Sequence, residues 1–312
     1  MKIVLFLSTL SVVILFWGWS TLYTASFQNL TIPFRGPKYA YATILTGYDG
    51  PDSDKYFTAV MLLAYQLLHD PLTSSKTGLP FVILVTEDVP GDKRKKMNQI
   101  GAKVIQVDSP DRDWIKPKWE RWNGVMAKLK LWTLTDYEKV AFLDADTVLF
   151  HSLDDIFMDS VSMIEETKST TEDTNSIPEH YLLAGIHDWY VESFLKPPPG
   201  KEFYEPKNYI NAGFMALAPS VDMYEYLLSL LDQPDKFDTS YPEQNLINYA
   251  YRTDGPMPWK GLNSSWNSIT ALGQKYPADV LSLHHKWWQP LDDEEKERSI
   301  QDALQRMQDR IV

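Results

Sequence analysis

Asp144 and Asp146 stand inside the apolar run Lys139-Val140-Ala141-Phe142-Leu143-Asp144-Ala145-Asp146-Thr147-Val148-Leu149-Phe150. The flanks read as a buried strand, and in an extended chain residues i and i+2 project to the same side, so the two carboxylates are expected side by side. Like charges at the end of an interior strand repel and are costly to desolvate. A hard divalent cation that takes oxygen ligands, Mn²⁺ or Mg²⁺, would relieve both costs and could in turn hold a diphosphate. Asp-x-Asp is more often a turn or a helix cap. Here the flanks are β-like and apolar instead of rich in Gly or Pro, which favours the metal.

The elements that must position this pair follow from hydrophobic patterning. Tyr39 to Thr46, Phe81 to Thr86 and Val104 to Val107 read as strands, with a helix from Tyr56 to His69 and another opened by Lys93-Arg94-Lys95-Lys96 between them. That basic run reads as a solvated helix face. Strands alternating with helices argue for a largely parallel sheet whose ligands gather at the strand carboxyl ends, where Asp144 and Asp146 lie. Met126 to Trp132 reads as a helix feeding the aspartate strand. Ser160 to Glu179 is polar and without periodicity, and is expected to be a mobile insertion.

Leu182 to Ile186 and Tyr209 to Leu217 read as further strands, the second interrupted by Asn211 and Gly213. A glycine inside a strand marks close approach by something else. Ser220 to Leu231 and the segment opened by Pro242 read as helices, and Val280 to Leu283 as a short strand running into His284-His285-Lys286-Trp287-Trp288. From Asp292 the chain places Ile300, Ala303, Leu304, Met307 and Ile311 on one helix side, expected to pack back on the body, with a membrane-surface or partner helix as the alternative.

The 312 residues are 44% hydrophobic and 23% charged, enough for one large α/β domain, and neither an internal repeat nor a second-domain boundary is visible. A formal net charge of -12 excludes broad attraction to nucleic acid and makes a local cation necessary for any anionic substrate. The absence of cysteine excludes disulfides, zinc thiolates and a thiol nucleophile. Ile3 to Trp19 carries no charged side chain, follows Lys2 and holds Phe16, Trp17 and Trp19 near its end. Residues 1–25 are therefore expected to be a signal anchor, with 26–38 a short stem and 39–312 the body. This places the body on the lumenal side of the Golgi membrane as a type II protein, or secreted if the segment is cleaved. Sequons at Asn29 and Asn263 are consistent with that address.

The ordered set Thr43-Ile44-Leu45, Ala127-Lys128-Leu129, Phe142 to Asp146, Tyr209-Ile210-Asn211-Ala212-Gly213, Glu243 to Asn248 and Leu283-His284 resembles the glycogenin-like family 8 glycosyltransferases from about Tyr39 to Trp288. The resemblance implies an α/β GT-A fold, a Rossmann-like mixed sheet flanked by helices in a single domain. It also implies a UDP-sugar donor, Mn²⁺ and transfer with retention of anomeric configuration.

By the same resemblance Asp144, Asp146 and His284 are the metal ligands, with His285 an alternative to His284. Two carboxylates and an imidazole suit Mn²⁺ better than Mg²⁺. Asp144 also touches the donor ribose, Lys128 contacts the donor, Tyr56 stacks on uracil, and Asp188 and Asn211 hold sugar hydroxyls. Without the resemblance Lys128 reads equally well as a snorkelling helix lysine. Glu243 and Gln244 stand near the reacting face where the family has Asp-Gln, and Lys286 corresponds to the lysine that stabilises the leaving diphosphate, in a shortened His-Lys segment. Retention can arise by front-face attack or through a covalent intermediate, for which Gln244 is a poor nucleophile and Glu243 a better one; front-face transfer is the expectation, with Glu243 binding the acceptor or stabilising charge on the sugar. The acceptor is expected to be a glycan. A second reading is a membrane-anchored protein that keeps the fold and binds sugars or a partner without catalysis. A soluble nucleotidyltransferase is disfavoured by the anchor and by the lack of a Gly-rich phosphate loop.

Overall fold

The structure is a computed structural model that describes residues 38–168, 177–188, 209–234, 236–269 and 276–311. The expected anchor and all of the stem but Lys38 lie outside the described residues, as does the middle of the 160–179 segment. Among the described residues no helix is long and apolar enough to cross a membrane.

The first half alternates as the periodicity requires: β1 (Tyr39–Leu45), α1 (Ser53–Leu68), β2 (Phe81–Val85), α2 (Gly91–Gln99) and β3 (Lys103–Gln106). β1 pairs in parallel with β2, β2 with β3, and β1 on its other side with β4 (Lys139–Leu143). The second half departs from a parallel sheet. β9 (Ile210–Leu217) runs antiparallel to β4, β8 (Leu183–His187) antiparallel to β9, and the short β10 (Lys260–Gly261) parallel to β8. The result is a seven-stranded mixed sheet in the order β10-β8-β9-β4-β1-β2-β3. β8 and β9 read in sequence like the parallel strands because all are buried on both faces, and such strands carry no alternation to reveal direction.

Helices cover both faces. On one, α1 packs over β1 and β2 with the C-terminal α5 (Glu294–Ile311) against its outer side; on the other lie a 3₁₀ segment (Val125–Thr133), α3 (Val221–Leu231) and α4 (Pro242–Ala250). An amphipathic α1 would bury a single stripe. Val60 to Leu67 is instead buried all round, because α5 covers the side turned away from the sheet. Val125–Thr133 is wound as 3₁₀ where an α-helix was expected, with Ala127 N–H donating to Gly124 O at 3.0 Å. Its tighter turn spreads Met126 to Leu129, Leu131 and Trp132 around a segment enclosed by neighbours.

The run expected as one strand over 139–150 is two strands. β4 ends at Leu143, a turn closed by Thr147 N–H to Asp144 O at 3.0 Å follows, and β5 (Thr147–Leu149) joins a second sheet, β11-β12-β5. β11 (Ser268–Ile269) and β12 (Ser282–His284) complete it, β12 antiparallel to β5 with His284 opposite Thr147. Within the polar 160–179 segment β6 (Glu165–Glu166) pairs antiparallel with β7 (His180–Tyr181), which directly follows the segment.

The C-terminal helix packs back on the body through Ile300, Ala303, Leu304 and Met307, all buried. Asp70, fully buried, accepts from Arg306 Nη2 at 2.7 Å and from Leu72 N–H at 3.0 Å. Leu304→Ala is expected to lower the unfolding free energy by about 3 kcal/mol in urea denaturation, from lost apolar burial and the cavity left behind.

Candidate active site

The turn between β4 and β5 brings Asp144 and Asp146 together. Their approach therefore comes from a tight reversal, and the expected pleat of an extended strand is absent. β12 delivers the third group: pairing His284 with Thr147 puts the imidazole beside the turn, and His285 N–H donates to Asp146 O at 2.8 Å to close the junction. One ligand atom from each of Asp144, Asp146 and His284 lies within 4.8 Å of the others. His285 points elsewhere, its Nε2 bonded to Gln289 O at 3.0 Å, and burial holds its pKa below the ordinary histidine value. Of the two histidines it is His284 that joins the carboxylates.

β9 forms the back wall. Its pairing with β8 jumps from Gly185↔Met215 to Ile186↔Asn211, a bulge that releases Ala212, Gly213 and Phe214 from β8. The released groups serve the site. Gly213 O accepts from Asp144 N–H at 2.8 Å, Ala212 O accepts from Lys128 Nζ at 3.2 Å, and Ala212 N–H donates to Gln244 Oε1 at 2.9 Å. A Cβ at Gly213 would stand 2.6 Å from His284 Cε1, 2.7 Å from Asn211 Oδ1 and 2.8 Å from Asp144 Oδ2. Only glycine leaves room for these three side chains to converge.

Lys128 is buried, which excludes the snorkelling reading. It sits 3.1 Å from both Asp144 Oδ1 and Glu243 Oε1. Burial opposes its charge, but Asp144 and Glu243 outweigh it and hold the ammonium above the ordinary lysine pKa. Lys286 Nζ lies 2.7 Å from Asp146 Oδ2 and His284 Nε2 3.0 Å from Asp146 Oδ1. Burial alone would raise the Asp146 carboxyl, yet His284 and Lys286 keep it far below the usual range. In the same way burial would lower His284, and Asp146 above all raises it.

These donors fit a hard divalent ion. Two carboxylates and one imidazole, converging over a residue that must lack a side chain, are the oxygen-rich mixed set that Mn²⁺ accepts, and the surrounding cations show how strongly the site attracts positive charge.

Asp188, Asn211 and Gln244 form one hydrogen-bonded group behind the wall. Asn211 Nδ2 donates to Asp188 Oδ2 at 2.7 Å, Gln244 Nε2 donates to the same oxygen at 3.2 Å, and Asn211 Oδ1 accepts from Gly213 N–H at 2.8 Å. Lys128, Asp144, Asp146, Glu243, His284 and Tyr56 line a cavity of about 150 Å³. Tyr56 stands edge-on to Trp288 at 5.1 Å, with Lys286 Nζ 5.5 Å from its ring centroid.

Sequence reasoning missed Arg121 and Trp122, which also line the cavity. The signal was present in Trp114-Ile115-Lys116-Pro117-Lys118-Trp119-Glu120-Arg121-Trp122, where tryptophans alternate with cations ahead of Lys128.

A mixed sheet with a carboxylate-histidine site at its edge is the architecture of a GT-A glycosyltransferase. The fold matches LgtC, solved as an active-site mutant at 16% identity and a TM-score of 0.54 over 85% of this chain and 95% of that one. It also matches LgtC solved as a galactosyltransferase in complex with donor and acceptor sugar analogues, at 15% identity and a TM-score of 0.50. The bifunctional glycosyltransferase WbbM matches at 14% identity and a TM-score of 0.54 over 87% of this chain, which spans 50% of WbbM. In sequence, galactinol synthase 5 of Arabidopsis thaliana is 24% identical over 270 residues, 82% of this chain and 74% of that protein. The model of glycosyl transferase family 8 matches residues 53–303, and the chain belongs to that family. It is a glycosyltransferase.

Gly213→Ala is expected to weaken Mn²⁺ binding by about tenfold or more in isothermal titration, by displacing the ligands. Urea unfolding of the same variant should show a loss of only about 1–2 kcal/mol, the cost of one added methyl.

Proposed function

We propose that the chain transfers a hexose-type sugar from a UDP-sugar to a hydroxyl of a glycan or other acceptor, with retention, and that Asp144, Asp146 and His284 hold Mn²⁺ for this reaction. The observation that carries the reading is the convergence of these three ligand atoms within 4.8 Å in a cavity also walled by Lys128 and Glu243. The bound ion would act as a Lewis acid on the leaving diphosphate.

The chain's own residues supply the rest. Lys286 stands against Asp146, within reach of charge developing on the β-phosphate. Tyr56 offers a ring at the cavity wall for the uracil, Asp144 reaches the ribose, and Asp188 and Asn211 meet the sugar hydroxyls. Gln244 is committed at both ends of its amide, to Ala212 N–H and to Asp188, so it scaffolds the site. Glu243 is held by Lys128 and binds the acceptor or stabilises positive charge on the sugar during front-face transfer. Isolation of a glycosyl-Glu243 adduct would overturn the front-face route. The uncharged Ile3 to Trp19 segment supports a type II anchor that places this chemistry in the Golgi lumen.

The test is UDP release by the chain from 39 onward with MnCl₂ and a panel of UDP-sugars. The panel begins with UDP-galactose, because LgtC is a galactosyltransferase. Release with at least one donor is expected, and Asp146→Ala should lower kcat/KM for it by about 10²- to 10³-fold. No Mn²⁺-dependent release with any donor would refute the assignment, and NMR of the product anomer checks retention.

A further inference from the structure

A cationic and aromatic wall beside the cavity is left unused by the metal site. On the 3₁₀ turn Glu120–Trp122, the Arg121 guanidinium lies 5.3 Å from the Trp119 ring centroid and 5.4 Å from that of Trp122. Trp122 packs 5.0 Å from Tyr241, the residue that leads into α4. Lys118 Nζ sits 5.8 Å from Trp119 and 5.7 Å from Tyr241, and the Lys118 backbone N–H donates to Ser240 O at 3.1 Å, tying the loop to the α4 approach.

Three properties distinguish this wall from core packing. Trp119 is 48% exposed, although a tryptophan in water gains nothing from folding. Among the described residues neither Lys118 nor Arg121 has a carboxylate within 4.0 Å, in a chain of net charge -12. And Arg121 and Trp122 open directly onto the cavity. The lysine of the inner wall differs, since Lys128 is fully engaged by Asp144 and Glu243.

A guanidinium stacked on indole faces keeps its N–H edge open for two parallel bonds to a carboxylate or phosphate. Exposed aromatic faces suit the C–H face of a pyranose ring, which is apolar. We propose that Trp119, Arg121, Trp122 and Tyr241 form the acceptor subsite and that it takes an anionic saccharide, its ring on the tryptophans and its carboxylate or phosphate on Arg121. This inference rests on the glycosyl-transfer reading above.

The test is isothermal titration of the full-length chain, without nucleotide, with three disaccharides: one ending in glucuronic acid, its neutral methyl ester, and one carrying a 6-phosphate. At least one charged form should bind about tenfold or more tightly than the ester, and the comparison of the two shows which anion the site takes. Arg121→Gln should abolish the preference, Arg121→Lys should keep part of it, and Trp119→Ala should weaken all three ligands. Both positions are exposed, and unchanged circular dichroism confirms that the variants fold. Equal binding of charged and neutral forms by the wild type, or a preference that survives Arg121→Gln, overturns the proposal. The donor screen separates the two readings: UDP release without a charge preference removes the subsite alone, whereas a charge preference without UDP release removes the transfer reading and leaves an anionic-saccharide site.

Discussion

Asp144, Asp146 and Glu243 crowd three carboxylates onto one cavity wall, and the arrangement of the chain around them follows from the need to neutralise that charge. Three cations from two segments far apart in sequence are drawn in to do so: Lys128 from the 3₁₀ segment, and His284 and Lys286 from the end of β12 and just past it. Lys128 is buried and His284 and Lys286 are partly so, and burial opposes the charge of each. Acids and bases are therefore mutually required, and removal of either side leaves an uncompensated buried charge. A divalent ion among the three ligands would meet part of the same demand. Lys286 would then face the phosphates with less of its charge committed to Asp146.

Backbone geometry makes this density of charge possible. The bulge in β9 strips Ala212 and Gly213 of their β8 partners, and bare N–H and C=O groups in the interior must be satisfied by something else. α4 supplies the replacement. Gln244 takes the Ala212 N–H, while Asn248 accepts from Ile210 N–H at 2.8 Å and donates to Ile210 O at 3.0 Å. A row of amide side chains on one helix face thus behaves as a missing strand, and by locking β9 it fixes the carbonyl that receives Asp144 N–H.

Much of this was legible in the sequence. The β1-to-β3 alternation and the packing of the terminal helix through Ile300, Leu304 and Met307 follow from periodicity, and Asp144 and Asp146 do meet, although through a turn and not through the pleat of one strand. Gly213 announced a close approach because a glycine weakens a strand unless space is needed. Other features were hidden for physical reasons. Strand direction in β8 and β9 leaves no trace in buried runs, and the break between β4 and β5 falls at Asp144-Ala145-Asp146, whose turn preference is masked by the apolar flanks on both sides. The two-residue β10 and β11 are too short for any periodicity. That His284 and not His285 joins the aspartates depends on the antiparallel register of β12 on β5, which is a long-range pairing.

Glu243 shows how a local departure fits this frame. It occupies the first turn of α4 directly after Pro242, a position where proline's missing N–H costs nothing and a carboxylate interacts favourably with the helix dipole. An aspartate there would have the same backbone preference but one methylene less reach. With the longer side chain, Oε1 arrives 3.1 Å from Lys128 Nζ, opposite Asp144 Oδ1 at the same distance. The lysine is thereby held between a carboxylate of the metal turn and a carboxylate of α4. Any change in charge at the metal turn is felt by Lys128, and through it by Glu243. The extra methylene thus makes the α4 carboxylate part of one electrostatic unit with the aspartates.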